Sequence, residues 1–312
     1  MNILITGGAG YVGTTLVPLL LSKGHEVTVF DNLMYGGDVL IPFFRNKNFS
    51  LIKADIRDAE AVKKAVAGKD AVVHLAAIVG FPACRENPDL ARAVNVDGTK
   101  NVISALDGKQ ILLYASTGSN YGKLSELTEP ICTEESPLRP LSIYGKTKTE
   151  AENLVMQYPK SSAFRFATAF GASPRLRLDL LINEFVYMAV KQKYLVIYEA
   201  NFMRTFVHVY DMARAFLFAL DNFDKTVGQV YNLGSEKMNI SKKQIAELMA
   251  KKTGAYVHYA DVGEDQDKRD YVVSYKKINS LGFDITIGIE EGVDELIKVS
   301  EVVQISNPYM NI

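Results

Sequence analysis

Two residues in the segment SIYGKTK, at positions 142 to 148, are suited to moving a proton. Tyr144 and Lys148 are four residues apart, so on a helix they share one face. A phenol titrates near a pH of about 10, and an ammonium group held beside it favours the phenolate and lowers that pKa. The pair could therefore serve as a general acid and base near neutral pH. The same spacing is also common on helix surfaces.

Hydroxyl groups are concentrated in the segment YASTGSNYG, at positions 114 to 122, directly after an apolar stretch. Ser116, Thr117 and Ser119 would lie at the carboxyl end of a sheet, where open α/β folds bind their ligands. A hydroxyl group there could bind a substrate alcohol and help to pass its proton to Tyr144.

A glycine-rich turn, ITGGAGYVG, occupies positions 5 to 13 between a predicted strand and a predicted helix. Gly8, Gly10 and Gly13 match the pattern G-x-G-x-x-G, and counting from Gly7 gives the variant G-x-x-G-x-x-G. Such a turn brings backbone close to a pyrophosphate, which the N–H groups at the start of the helix then bind. An ordinary glycine-rich loop is the alternative interpretation.

An aspartate supports the dinucleotide interpretation. Asp31 ends the second predicted strand, about 20 residues beyond the turn, where a carboxylate can accept hydrogen bonds from an adenosine ribose. A carboxylate there repels a 2′-phosphate, so we expect NAD rather than NADP. Asp55 and Ile56 could contact the adenine, although Asp55 could equally cap the next helix. Small residues at 75–77 would let the cofactor lie across the strand ends.

The elements that position these residues alternate between strand and helix, which predicts a parallel sheet covered on both faces. Strands are predicted at 2–6, 26–30, 49–53, 70–74, 110–114 and 163–166, and helices at 11–22, 58–67, 88–106, 142–158 and 212–222. The predicted fold class is α/β, a Rossmann-type doubly wound parallel sheet with a smaller mixed α/β substrate lobe. The NAD-binding domain would comprise 1–172 and 206–233, and the substrate lobe 173–205 and 234–312.

Composition is that of a soluble globular protein of 312 residues, with 48% hydrophobic and 23% charged residues. A formal net charge of −1 indicates neither nucleic acid nor an anionic membrane as a partner. The two cysteines, Cys84 and Cys132, are too few for a disulfide framework and fit a reducing compartment. With no apolar run of membrane-spanning length and no basic N-terminal leader, we expect a cytoplasmic protein. The spacing of His, Cys and Asp predicts no metal site.

The chain resembles the extended short-chain dehydrogenase/reductase family, and within it the NAD-dependent nucleotide-sugar epimerases and dehydratases. The resemblance runs from residue 6 to about 283 and rests on the order and spacing of several motifs. These are TGGAGYVG, Asp31-Asn32, Asp55, HLAA, NVDGTKN, YASTGSNYG, YGKTK, RTFVHVYDMA and RDYVVSYKKINSLGF.

The resemblance implies a role for each matching position. Thr117 and Tyr144 would be catalytic, with Lys148 assisting Tyr144 and binding the nicotinamide ribose. NAD would be held, besides Tyr144 and Lys148, by Gly7, Gly10, Tyr11, Val12, Gly13, Asp31, Asn32, Asp55, Ile56, Leu75, Ala76, Ala77, Asn95 and Ala167. The nucleotide-diphosphate sugar would be held by Thr117, Asn183, Arg204 and Arg269, with the two arginines on the diphosphate. The helices near 88–106 and 142–157 would pair two subunits into a homodimer.

The residues after Thr117 limit which reactions of this family the chain could catalyse. Family members that expel water place an Asp-Glu pair there, whereas this chain has Gly118 and Ser119, which argues against 4,6-dehydration. Hydride chemistry at a sugar carbon, most simply C4, remains, and we favour a 4-epimerase with a transient 4-keto sugar. The lack of a side chain at Gly118 could leave room for that ketone to turn. A dehydrogenase or ketoreductase that releases the keto sugar and a noncatalytic dinucleotide-binding regulator are the alternatives.

Overall fold

A seven-stranded parallel sheet forms the centre of the protein, whose computed structural model describes residues 1–122, 131–260 and 271–303. The spatial order of its strands is β11-β7-β5-β4-β1-β2-β3. These strands are β1 (Asn2–Thr6), β2 (Glu26–Asp31), β3 (Phe49–Lys53), β4 (Ala71–His74), β5 (Ile111–Thr117), β7 (Ser161–Phe166) and β11 (Gln229–Leu233), while the short β6 (Ile131–Cys132) lies outside the sheet. The predicted parallel sheet is thereby confirmed.

Both faces of the sheet are covered by helices, which explains why the central strands carry apolar residues that point to both faces. Ile3 and Ile5 of β1 pack into one core with helix α1 (Gly13–Ser22) and helix α8 (Val209–Asp221). Leu4 points to the other face and packs with the helices α2 (Ala59–Val66), α5 (Gly98–Ala105) and α6 (Ile143–Val155).

The predicted helix at 88–106 is interrupted. After α3 (Phe81–Glu86), the chain forms α4 (Pro88–Arg92), then a wide turn of π-helix at Ala93–Asp97, and then α5. Asn95 lies in that turn, and its side chain binds the loop that follows β4. Such a local departure from the 3.6-residue repeat depends on tertiary contacts, so the spacing of apolar residues in the sequence does not predict it.

A second group of elements lies at the carboxyl end of the sheet around a third apolar core. One small sheet has the order β12-β10-β8, and β13 pairs with β9 in another. The elements of this group and of the chain's C-terminal part are β8 (Thr168–Phe170), α7 (Leu181–Lys191), β9 (Tyr194–Tyr198), β10 (Met203–His208), α9 (Phe223–Thr226), β12 (Asn239–Ser241), α10 (Lys242–Thr253), β13 (Tyr256–Ala260), β14 (Val272–Val273), α11 (Lys276–Asn279) and α12 (Ile289–Val302).

A deep cleft of about 790 Å³ separates the carboxyl ends of the main strands from this second group. The strand order reverses between β1 and β4, so the connections leaving these two strands run in opposite directions. Open α/β sheets bind ligands in the crevice that this reversal creates.

Candidate functional site

The glycine turn forms one end of the cleft. Gly7 has a φ of +71°, and a Cβ atom there would lie 2.7 Å from the backbone nitrogen of Ala76. A Cβ on Gly13 would lie 2.6 Å from Gly8, so both positions require glycine. Helix α1 begins without a side-chain cap, and the residues at its start, Tyr11, Val12 and Gly13, line the cleft. Such a start is suited to a phosphate.

Asp31 lies beside this turn, at the end of β2. Its carboxylate accepts hydrogen bonds from the backbone N–H groups of Ala9 at 3.0 Å and Leu33 at 2.8 Å. Burial raises the pKa of Asp31, and these two hydrogen bonds oppose that effect. The carboxylate lines the cleft, fixed in orientation, where a ribose could donate to its remaining lone pairs.

Asp55 extends the same wall of the cleft. Hydrogen bonds from the Arg57 side chain, at 2.8 and 2.9 Å, hold the pKa of Asp55 well below its usual range. Asn32 also donates to it, at 3.2 Å. The capping residue of α2 is Asp58, which accepts from the Ala61 N–H group. The alternative role of Asp55 as the helix cap is therefore wrong.

Eight further residues that were expected to contact NAD also line the cleft. The structure places along its wall the predicted residues Gly10, Tyr11, Val12, Ile56, Leu75, Ala76, Ala77 and Ala167. We refer to these positions, from the glycine turn to Ala167 after β7, as one strip of the cleft wall.

The proton-transfer pair lies at the other end of this strip, on the first two turns of α6. Tyr144 and Lys148 both line the cleft. The Lys148 side chain is buried, and its ammonium lies 4.0 Å from the centre of the Tyr114 ring. Burial lowers the pKa of Lys148 to about 7, while Glu152, one turn further along α6, opposes the shift. Lys148 can therefore gain or lose a proton close to neutral pH.

Thr117 lines the same cleft as this pair and ends β5. Its side-chain oxygen accepts a hydrogen bond from the Ser119 N–H group at 3.1 Å, and both residues line the cleft. Gly118 does not line it: a Cβ there would point towards the Phe166 carbonyl, 3.3 Å away, and the Tyr271 hydroxyl, 3.5 Å away. The missing side chain at Gly118 thus enlarges no space beside a sugar, contrary to the expectation from the sequence.

Two predicted ligand residues lie behind the cleft wall. The Asn95 side chain accepts from the Ile78 N–H group at 2.7 Å and donates to the Ile78 carbonyl and to Thr147. The Asn183 side chain is fully buried and joins Gly171 to the Arg177 carbonyl. Because their amides are used within the protein, both residues support loops of the cleft and do not line it. This corrects the direct ligand contacts expected from the sequence.

Basic residues line the part of the cleft next to the second group of elements. Arg204, predicted from the sequence, is 4% exposed and lies on β10. Arg175 and Arg177, which sequence reasoning missed, are also buried in the cleft wall, and Arg177 pairs with Asp179. They occur in a loop without periodicity, where only the recurrence R-L-R could have drawn attention to them. Arg269 lies outside the described residues.

Neither a metal centre nor a membrane span emerges from the described ranges. Residues 1–122, 131–260 and 271–303 contain no group of three or more His, Cys, Asp or Glu side chains placed to hold an ion. No helix within those ranges is both long and apolar enough to cross a membrane.

Fold and cleft together define a class of dinucleotide-dependent enzyme: a glycine turn suited to a phosphate, a carboxylate placed where a ribose could donate to it, and a Tyr–Lys pair line one cleft at the switch point of a parallel sheet. The sequence profile of the NAD dependent epimerase/dehydratase family matches residues 3–234. The chain belongs to this family, and its cofactor is NAD.

Relatives of known activity match over most of their length. The UDP-glucuronate 4-epimerase of Thermodesulfobacterium geofontis is 30% identical over 317 aligned residues, covering 96% of this chain and 95% of the relative. The UDP-glucose 4-epimerase of Corynebacterium glutamicum is 28% identical and covers 81% of each chain. The crystal structure of the Thermus thermophilus UDP-glucose 4-epimerase in complex with NAD superposes with a TM-score of 0.83 at 26% identity, over 97% of this chain and 100% of that chain.

Proposed function

We propose that this protein interconverts the C4 epimers of a nucleotide-diphosphate sugar, using NAD that stays in the site. The observation that carries the proposal is that Thr117, Tyr144 and Lys148 line the same cleft as the glycine turn and Asp31. Relatives named as UDP-sugar 4-epimerases support it.

In this proposal Tyr144 removes the proton of the sugar hydroxyl, and Thr117 holds that hydroxyl by a hydrogen bond. Bound NAD supplies the hydride chemistry, accepting a hydride from C4 and returning it. Lys148 stabilises the phenolate of Tyr144 from beneath, because it is fixed one helical turn away and buried. Tyr144 then returns the proton to the new hydroxyl on the other face of the sugar.

Dehydration fits the site less well. Elimination needs an acid to protonate the leaving hydroxyl and a base to remove the C5 proton. The residues after Thr117 are Gly118 and Ser119, and Gly118 points away from the cleft. The loop beside the proton-transfer pair therefore supplies neither group.

A 4-dehydrogenase or ketoreductase is the second candidate, since it would use the same three residues. The two reactions differ in whether the hydride returns to the sugar. We would give the purified protein UDP-glucose or UDP-glucuronate in large excess without added NAD and follow the products by NMR. An epimerase converts many sugars per site, whereas a yield limited to one keto sugar per site, with NADH left on the protein, would establish the dehydrogenase.

We further propose roles for the basic residues and a division of the chain. Arg204 and Arg269 would bind the diphosphate of the substrate, with Asn183 shaping that part of the site from behind. NAD would be bound mainly by residues 1–172 and 206–233, and the sugar nucleotide by 173–205 and 234–312. The arginine substitutions Arg204→Ala and Arg269→Ala should each weaken the binding of UDP.

The assembly we propose is a homodimer formed by the helices of residues 88–106 and 142–157. These helices lie side by side, and an exposed ion pair between Arg92 and Glu150, 2.8 Å apart, joins them. Their outer surface is mostly polar, so the interface would bury charged groups. Sedimentation at micromolar concentration tests the dimer, and a monomer would contradict it. We also propose a cytoplasmic location, in keeping with two buried, unbridged thiols.

A further inference from the structure

The chain leaving β8 passes directly over the glycine turn. We call residues 171–177 the crossing segment. The Tyr11 hydroxyl donates to the Gly171 carbonyl at 2.6 Å, and the Ser173 hydroxyl donates to the Tyr11 carbonyl at 2.7 Å. The hydroxyls of Ser173 and Thr14 are 2.9 Å apart. Every one of these partners lies in the turn or in the first turn of α1, so the crossing segment is fastened to the phosphate-binding end of the cleft.

The crossing segment places Arg175 in this part of the cleft. The backbone N–H of Arg175 donates to the Thr14 hydroxyl at 3.4 Å, and its side chain is almost completely buried. The guanidinium carbon lies 4.4 Å from the centre of the Tyr35 ring, and Tyr35 follows Asp31 by four residues. Both side chains line the cleft. Arg175 is therefore held between the start of α1 and the loop that follows the ribose-binding aspartate.

A positive charge at this position would complement the negative charge of the cofactor. A dinucleotide pyrophosphate carries two negative charges, while a helix start offers backbone N–H groups and roughly half a positive charge. Residues 1–22 contain no lysine or arginine. The crossing segment carries a second arginine, Arg177, which pairs with Asp179, and the Arg175 guanidinium lies against the Tyr35 ring. A guanidinium matches phosphate oxygens with two parallel N–H donors.

We propose that Arg175 binds the pyrophosphate of NAD together with the glycine turn, and that the crossing segment thereby retains the dinucleotide between turnovers. The Tyr35 ring orients the guanidinium by stacking against it. The proposal concerns the cofactor alone, so it can hold whether the sugar reaction is an epimerisation or a dehydrogenation.

The test compares Arg175→Gln and Arg175→Lys with the wild-type protein. The first keeps much of the side chain without the charge, and the second keeps the charge without the planar fork. NAD per chain is measured by mass spectrometry after desalting, and its dissociation rate is measured by exchange with isotopically labelled NAD. UDP binding is measured by calorimetry on the same preparations. Arg45→Ala, which removes an exposed arginine outside the cleft, is the matched control.

We expect Arg175→Gln to speed NAD dissociation by about 10- to 100-fold, in line with the loss of one charge-assisted contact. Arg175→Lys should show a smaller increase, and UDP binding should change little in either. Unchanged NAD exchange with weakened UDP binding would assign Arg175 to the substrate instead. Unchanged binding of both ligands would reduce Arg175 to a structural role. If Arg175→Gln does not fold, Tyr35→Leu replaces it, and it must also speed NAD exchange.

Discussion

At the scale of single residues, the proposed chemistry depends on two side chains that line the cleft. Tyr144 and Lys148 share a face of α6, and the Tyr114 ring supports the Lys148 ammonium at 4.0 Å. A phenol alone is a poor base at neutral pH, so the site depends on this neighbouring cation. Their spacing in the sequence predicted the pair because four residues make about one helical turn.

The substitution Tyr144→Phe tests that dependence. It removes the phenol and keeps the ring, so turnover should fall by roughly 100-fold or more. Thermal unfolding should change little, because the ring still fills its place. Turnover is measured by steady-state kinetics and stability by thermal melting, for the wild type and the variant. A fully active variant would refute the proposed mechanism. Thr117→Ala should reduce the rate less, since Thr117 only holds the hydroxyl.

Asp31 is the residue that we expect to select NAD over NADP. Asp31→Ala should weaken NAD binding and reduce the preference for NAD over NADP, because the carboxylate that binds the ribose and repels a 2′-phosphate is lost. Titration of both dinucleotides into wild type and variant gives the two affinities. A wild-type protein that binds NADP as tightly as NAD would remove this role from Asp31. Asp55→Ala is the matched comparison and should leave the NAD-to-NADP ratio unchanged.

At the scale of elements, a buried polar network fixes α6 against the end of β5. Glu152 accepts from the Ser116 hydroxyl at 2.5 Å and from Asn120 at 3.1 Å. It also forms an ion pair with Arg165 on β7, at 2.7 Å, and both side chains are almost fully buried. The network therefore connects the helix that carries Tyr144 to the strand that carries Thr117.

We expect that breaking the ion pair between Glu152 and Arg165 lowers the free energy of unfolding. Glu152→Ala leaves the Arg165 charge buried with fewer partners, and we expect a loss of about 3–5 kcal/mol in the free energy of unfolding. Urea denaturation measures the loss. The matched control is Glu247→Ala, which breaks the exposed pair with Lys243 on α10, outside the proposed dimer interface, and should change the midpoint little. Equal effects of the two substitutions would show that the buried pair contributes nothing particular.

Sequence patterns predicted elements better than they predicted loops. The central strands of the main sheet are mostly apolar, so six of its seven strands, β1 to β5 and β7, were predicted from the sequence, whereas β11 was missed. Three features could not be predicted, because each depends on contacts between distant segments. They are the π-helical turn at Ala93–Asp97, the direction of a Cβ at Gly118 away from the cleft, and the placement of Arg175. The glycine turn was predictable because the whole phosphate-binding motif lies within nine residues.

For the molecule as a whole, we expect the buried Lys148 ammonium to lower the free energy of unfolding. Lys148 is buried, and in the unfolded chain its pKa would lie near the ordinary value of about 10.5, whereas burial lowers it to about 7 in the folded protein. Between those two values the unfolded chain binds more protons than the folded protein, so this group makes folding more favourable as the pH rises. Below a pH of about 7, Lys148 is charged in both states, and the full free-energy cost of burying its charge opposes folding.

Replacing Lys148 with methionine should therefore stabilise the protein while abolishing its activity. Glu152 keeps its partners Arg165, Ser116 and Asn120, so the substitution leaves no isolated buried charge. We expect a gain of a few kcal/mol at a pH of about 6.5, shrinking steadily towards a pH of about 10. Urea unfolding of both proteins, freed of dinucleotide, at several pH values across this window measures the difference. A difference that stays constant across the window would mean that Lys148 remains protonated in the folded protein, held by the Tyr114 ring and Glu152.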